Sequence, residues 1–345
     1  MRRLLHTTRA ARGAAGRGRD AGGARRGANG GGSDASGAAR AGPRAVARAT
    51  VSGLLDASAR RLARAGLHYG HGTDNARDEA AALLWHALRL PRKPSAARLR
   101  RAVSVRARAR LEQLLQRRIR ERIPAVYLTR RCWFAGLPMY VDERVLIPRS
   151  PLAELIERRF APWIAPAGVR RILDLGTGSG CIAIACARAF PRARVDAVDV
   201  SREALEVARV NVHRHRLDAR VRLGHSDHFI GLGAARYDII VSNPPYVGEA
   251  ELQGLPAEYR HEPRLALAAG RDGLDAVRTI LRDAAAHLNP AGILVVEVGN
   301  SQAALERAVP RLPCVWLSFQ RGGGGVFLLT REQLLRAHAG AARRV

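Results

Sequence analysis

The chain has 345 residues, 47% of them hydrophobic and 26% charged, which at roughly 150 residues per domain allows about two globular domains. Its longest apolar runs, Cys181 to Ala187 and Ile293 to Val296, fall far short of the ~20 residues needed to cross a bilayer, which excludes a membrane-spanning protein. A net charge of +28 favours polyanionic partners such as nucleic acid or a ribosomal particle; Lys93 is the one lysine, however, and near-exclusive arginine is equally what a high-GC gene produces.

Residues 1–50 set eleven arginines against Asp20 and Asp34 and show no hydrophobic periodicity. Such a segment buries too little to offset chain entropy and reads as a disordered tail. An organellar transit peptide or a misassigned start codon would look the same. Residues 51–125 read as a small helical substrate-recognition domain. Leu54, Leu55, Leu62 and Leu67 mark one helix and Ala80, Leu83, Leu84, Ala87 and Leu88 the next, with Asp74 as its cap and Pro91 and Pro94 as its end. A third helix is expected from Ala96 to Arg122, its apolar side carrying Leu111, Leu114, Leu115 and Ile119. Ten arginines lie on that helix, either against phosphates or on a solvated face. No aromatic residue is interleaved with them for base stacking.

A connector over residues 126–168 carries a β-hairpin around Trp133 to Val141, bent at Gly136-Leu137-Pro138. From Val169 to about residue 332, strands and helices alternate, which implies an α/β sheet, mostly parallel, with an antiparallel edge at the closely spaced last two strands. Residues 333–345 read as a basic C-terminal tail. Cys132, Cys181, Cys186 and Cys314 form no C-x-x-C pair, so structural zinc is not expected and free thiols in a reducing, cytoplasmic setting are. The organellar alternative stands if the first residues are a transit peptide.

Chemistry concentrates in four places. The apolar strand Ile172-Leu173-Asp174-Leu175 runs into Gly176-Thr177-Gly178-Ser179-Gly180, where glycines let the backbone approach a ligand closely. The spacing is G-x-G-x-G, so the dinucleotide pyrophosphate fingerprint is not met, and an uncharged or cationic nucleotide fits better. Asp199 ends the next strand, about 20 residues further on, where an acid accepts hydrogen bonds from ribose hydroxyls. Asp227 follows the third strand, placed for an adenine amino group with Phe229 packing nearby. After the apolar strand Tyr237–Val241 comes Ser242-Asn243-Pro244-Pro245-Tyr246. There the Asn243 carbonyl and a backbone carbonyl at Pro244, held by Pro245, can accept both hydrogens of a planar NH₂ while Tyr246 covers its face.

These elements resemble class I S-adenosylmethionine-dependent methyltransferases that act on amino groups. Phe134-Ala135-Gly136, Val141 to Arg149 and Glu297-Val298-Gly299-Asn300 are similar to the glutamine N5-methyltransferases related to HemK and PrmC. Ser150-Pro151-Leu152-Ala153-Glu154, Tyr69 to Asn75, Glu258 to Pro263 and Gly323 to Phe327 resemble the ribosomal-protein branch, the PrmB type. The release-factor branch instead has Pro-x-Thr-Glu after its Pro-Arg. Arg130 and Arg131 depart from the pattern, where a Gly and an acid are expected.

The resemblance implies a Rossmann-like sheet with a small N-terminal helical domain and S-adenosylmethionine as cofactor, held by Asp174, Gly176, Thr177, Gly178, Ser179, Gly180, Asp199, Asp227 and Asn243. It places catalysis on Asn243, Pro244, Pro245 and Tyr246. It implies no metal, and as substrate a glutamine of the third large-subunit ribosomal protein, with rRNA or pre-ribosome contact beside it. His261 and Glu262 read as surface contacts ahead of a role in proton removal. A release-factor substrate, an adenine-N6 nucleic-acid methyltransferase and a non-enzymatic ribosome-binding protein remain the alternatives.

Overall fold

The computed structural model describes residues 49–342. The tail read over residues 1–50 lies outside them except for Ala49 and Thr50, and Thr50 is the N-cap of helix α1 (Val51–Arg64), its hydroxyl accepting from the Gly53 amide. Helix α2 (Ala76–Leu88) is capped by Asn75 rather than Asp74. The extended backbone of Asn75 puts its amide oxygen under both the Arg77 and Asp78 N–H groups. The expected third helix is two helices, α3 (Ala96–Leu99) and α4 (Val105–Arg120). Between them the chain bridges back to the start of α1 through Val51 N–H to Arg101 and Val103 N–H to Ala49, and Ser104 then caps a fresh helix. Leu55 and Leu62 from α1, Leu83 and Leu84 from α2, and Leu111 and Leu115 from α4 form the core of this part.

A short helix, α5 (Ala125–Thr129), leads into the hairpin of β1 (Cys132–Phe134) and β2 (Leu137–Met139). Its bend is Ala135-Gly136, both left-handed, as a two-residue hairpin turn requires; Pro138 falls inside β2, one step beyond the expected corner. Helix α6 (Leu152–Glu157) follows.

The alternating region builds β3 (Arg171–Leu175), α7 (Cys181–Ala189), β4 (Arg194–Asp199), α8 (Arg202–Arg214), β5 (Val221–His225), β6 (Tyr237–Ser242), α9 (Glu249–Gly254), α10 (Asp275–His287), β7 (Leu288–Glu297), α11 (Gln302–Ala308), β8 (Val315–Leu317), β9 (Val326–Thr330) and α12 (Arg331–Ala342). The strand order is β5-β4-β3-β6-β7-β9-β8, parallel through β7 and antiparallel at β9 and β8. Side chains alternate between two cores. Ile172, Val195, Ile239 and Val295 face α7, α8 and the helical part, while Leu173, Ile240, Leu294 and Val296 face α10 and α12. The expected basic tail from residue 333 is instead the body of α12, whose Leu334 is fully buried in the second core. Among the described residues no helix is long and apolar enough to cross a membrane.

Candidate active site

The chain leaves β3 for β4 and β5 on one side, then returns to place β6 on the other side of β3. This reversal opens a crevice beyond the carboxyl ends of the central strands. The glycine turn leaves β3 and the Asn-Pro-Pro-Tyr segment leaves β6, and the two are joined directly: Leu175 pairs with Ser242 in register, and the Ser242 hydroxyl donates to the Leu175 carbonyl at 2.7 Å.

The turn is held from below and from the side. Asp174 is fully buried, and its Oδ2 accepts from the Thr177 hydroxyl at 2.6 Å and the Ala183 amide at 3.0 Å. Burial pushes its carboxyl up to about 7, and its Oδ1 has no partner. Asp174 therefore braces the turn from beneath rather than facing the crevice, which differs from the ligand contact expected of it. Gly176 and Gly178 adopt left-handed backbone, and a Cβ at either would meet nothing within 4 Å, so the turn presents bare backbone to open space. Thr177 and Ser179 are buried, and the Ser179 Oγ is without a partner. Gly180 packs on α8, where a Cβ would come within 3.2 Å of Ala208 Cβ.

Asp199, at the end of β4, accepts the Gly178 amide at 2.8 Å and the Ser201 amide at 2.9 Å. Burial raises its pKa, while these backbone donors pull it the other way. Two carboxylate oxygens carry about four acceptor positions, so capacity for a diol remains. Asp227 is exposed and bonded to its neighbour His228 at 2.6 Å. Phe229 does not line the site. Its ring is buried in the second core, stacked on His287 at 4.7 Å, because the turn after β5 directs it under the sheet.

Asn243 Oδ1 is buried with no hydrogen-bond partner among the described residues. A buried acceptor left unpaired is costly unless a ligand completes it. Tyr246 is fixed from three directions: its hydroxyl donates to Glu297 Oε1 at 3.4 Å, its carbonyl accepts from Ser301 at 2.6 Å, and its ring lies so close to Gly299 that a Cβ there would sit 2.5 Å from it. Glu297 also accepts from the Ser150 hydroxyl, and burial lifts its carboxyl to about 7.

The loop beyond Tyr246 is clamped to the helical part. Arg118 of α4 is 1% exposed and donates to Glu79 of α2 at 3.0 Å, Glu258 at 3.1 Å and the His68 carbonyl at 2.9 Å. It is thus no part of a solvated or phosphate-facing arginine stripe. Arg149 forms a bidentate pair with Glu262 and lies over the Tyr259 ring, while His261 bonds the Glu121 carbonyl at 2.8 Å. On the other flank Asn211 of α8, fully buried, donates to both the Ser179 and Tyr140 carbonyls. Sequence reasoning quoted Arg149, Ser150 and Glu297 for resemblance alone, read Glu262 as a surface contact although it is buried, counted Arg118 only as one of the arginines of the third helix, and passed over Asn211. No local pattern marks these pairs, whose partners stand between 32 and 147 residues apart.

A parallel sheet extended by an antiparallel pair, with its glycine turn after the central strand, is the class I methyltransferase architecture. The Methyltransferase small domain model matches residues 160–255 and the PrmC N-terminal domain model residues 53–129. The ribosomal protein uL3 glutamine methyltransferase of Neisseria meningitidis serogroup B is 50% identical over 287 residues, 83% of this chain and 94% of that protein. The protein of that description from Bordetella pertussis is 48% identical over 286 residues, 83% and 96% of the two chains. Among solved structures, a methyltransferase from Pyrococcus furiosus is 22% identical with a TM-score of 0.42, covering 57% of this chain and 89% of that one.

The chain belongs to the ribosomal protein uL3 glutamine methyltransferase family. Its methyl donor is S-adenosylmethionine. The residues present fit that group, given the bare glycine backbone, the acid at the end of β4 and the unpartnered Asn243 oxygen.

Proposed function

We propose that the protein methylates N5 of a glutamine side chain in ribosomal protein uL3, working in the cytoplasm where that substrate is made. The observation that carries this reading is the buried, unpartnered Oδ1 of Asn243 beside Tyr246. When bound, S-adenosylmethionine supplies a methyl carbon made electrophilic by its sulfonium.

In this reading Asp199 accepts the ribose hydroxyls, the backbone of Gly176 to Gly180 lies along the donor, and Asp227, at the rim, takes the adenine amino group. Asp174 and Thr177 keep the turn in shape. Asn243 Oδ1 and the Pro244 carbonyl accept the two N–H bonds of the substrate amide, and Pro245 fixes that carbonyl. An amide nitrogen is a poor nucleophile because its lone pair is delocalised. Acceptors aimed at its hydrogens stabilise the positive charge that grows on nitrogen as the N–C bond forms and the methyl–sulfur bond breaks, more in the transition state than in the ground state. One of the two N–H protons then passes to solvent, leaving the neutral methylated amide and a neutral thioether. Tyr246, braced by Glu297, covers the amide face and excludes water.

The test is incubation with methyl-labelled S-adenosylmethionine and two unmethylated proteins, uL3 and a peptide-chain release factor, with label located by mass spectrometry. Label on a uL3 glutamine, reduced about 10²- to 10³-fold in Asn243→Ala, is the expected result. Label on the release factor alone moves the chain to the sister branch. Label on neither, with label on added RNA, makes it a nucleic-acid enzyme.

A further inference from the structure

The arginines of α4 have no aromatic neighbours in sequence, but the fold supplies two. An open groove of about 1030 Å³ runs between α2, α4, α5 and β1. Trp85 from α2 and Trp133 from β1 line it together with Arg89, Arg92, Arg110 and Arg131. Trp133 is 39% exposed, and the Arg92 guanidinium lies over its ring at 4.6 Å. Arg117, further along the groove, is paired with Glu121. None of the other four arginines meets a carboxylate among the described residues.

Their charge is felt locally. His86 titrates below its ordinary value, first because it is partly buried and then because Arg131 and Arg110 repel its proton. The groove also contains Asp74 and Asp78. They stand at or just before the start of α2, and even Asp78, in its first turn, lies about 16 Å along the helix from Arg89. The tryptophans and free cations therefore share one end.

We propose that this end of the groove is a docking site for single-stranded RNA. Cations spaced around one exposed and one half-buried indole match a chain of phosphates interleaved with flat bases. A duplex hides its base faces in the stack and has no use for the tryptophans. An acidic peptide would satisfy the arginines and leave both indoles without flat partners. The choice of RNA over DNA rests on the proposed ribosomal substrate, whereas the polynucleotide chemistry rests on the groove alone. The groove contains none of the residues assigned to the donor or the amide.

The full chain would be titrated with a labelled RNA of about 12 nucleotides, reading anisotropy at several salt concentrations and tryptophan fluorescence in parallel. A chain of charge +28 binds RNA diffusely in any case, so the variants decide. Trp133→Ala leaves the charge unchanged and should weaken binding about tenfold while reducing RNA-induced quenching to the share that Trp85 carries. Arg89→Gln with Arg131→Gln should reduce the slope of log K against log salt by about 1.4, at ~0.7 per phosphate on a single strand. Arg60→Gln with Arg64→Gln, on the exposed face of α1, removes equal charge and should leave quenching intact.

Wild-type binding by Trp133→Ala, or equal losses from the two arginine pairs, would overturn the proposal in favour of diffuse attraction. Tighter, Trp133-dependent binding of the matching DNA or of a glutamate-rich peptide would overturn the assignment to RNA. Methylation of RNA-free uL3, measured on the same variants, should stay at the wild-type rate, so failure of the methylation reading and failure of the groove appear in different readouts.

Discussion

Replacing Arg118 with Met should cost more than any other single change in the helical part. The guanidinium is 1% exposed and satisfies Glu79, Glu258 and the His68 carbonyl at once. Its removal strands Glu79 in the interior and leaves Glu258 only Arg122 at 3.6 Å, which costs about 3–5 kcal/mol. For a chain of this size that corresponds to a fall in Tm of roughly 6–10 °C. Thermal and urea unfolding at pH 7.5 would measure it. The loss should shrink toward about pH 5. Glu79 already stands above its ordinary value through burial; without the cation that offsets this it rises further, so the folded variant binds more protons than its unfolded chain and gains stability as pH falls. The combined variant Arg118→Met, Glu79→Met, Glu258→Gln should recover most of the loss. No unpaired charge remains in it, and the side-chain amide oxygen introduced at position 258 still accepts from the His68 amide, as the native carboxylate does. A loss below about 1 kcal/mol, or one independent of pH, would refute the idea that this arginine neutralises the seam between the helices and the loop.

Three further outcomes follow from the site. Asp199→Asn should weaken S-adenosylmethionine binding by about 10-fold or more in calorimetry, since a charge-assisted hydrogen bond contributes roughly 1.5–3 kcal/mol, and should lower Tm as well, because one of the two backbone amides the carboxylate accepts, Gly178 or Ser201, would face an NH₂ group. Gly299→Ala should lower the methylation rate more than it lowers Tm, because the new methyl would displace the Tyr246 ring it meets at 2.5 Å; an unchanged rate would show that the tyrosine's position does not matter. Glu297→Gln tests a titration. The native carboxyl stands near 7 because it is buried, so between the ordinary glutamate value and about 7 the folded protein holds a proton that the unfolded chain has released. Wild-type stability relative to the Gln variant should fall as pH rises from 5 to 8, by up to about 3 kcal/mol at ~1.36 kcal/mol per unit. A difference that stays flat with pH would place the glutamate in a wetter setting.

Much of this molecule is legible in its sequence because the information is local. The strand-turn-helix of Ile172 to Ala187 carries its own glycines, and the order of alternating elements dictates a parallel sheet whose last two strands fold back. Where side chains act through distant partners, sequence reasoning falls short. Asp74 and Asn75 are both cap formers, and the backbone angle at Asn75 decides between them. The helix expected from Ala96 to Arg122 breaks because residues 101–103 pair with the start of α1, a tertiary bond no local propensity reports. Arg118 looks like any member of the α4 stripe until Glu79 and Glu258 close on it. Residues 333–345 resemble a tail because in sequence Arg336, Arg343 and Arg344 stand among alanines with no acid, and the buried contact of Leu334 is not visible there. Asp174 reads as a ligand from its place before the glycines, yet its carboxylate points into the fold.

The arrangement of buried acids adds an argument from charge. Seven carboxylates are buried among the described residues, and five of them meet an arginine: Glu79 and Glu258 at Arg118, Asp142 at Arg144, Glu154 at Arg158 and Glu262 at Arg149. Among the described residues Asp174, Glu297 and half-buried Asp199 make no ion pair with an arginine, although arginine is abundant in the chain; Arg149, already paired with Glu262, acts on Glu297 only from a distance. These three acids lie under the glycine turn, beside Tyr246 and at the end of β4. An arginine at any of these places would repel a sulfonium cation with several kcal/mol at the short separations and low effective dielectric of a closed site. Leaving the acids without a fixed cation keeps the crevice hospitable to a positive donor. It also accounts for carboxyls near 7 at Asp174 and Glu297: burial raises both, and without a paired cation to offset it each lowers its burial penalty by holding a proton. Binding of a cationic donor should then favour release of protons from these acids, so the affinity for S-adenosylmethionine rises with pH across the same window in which the unliganded fold loses stability.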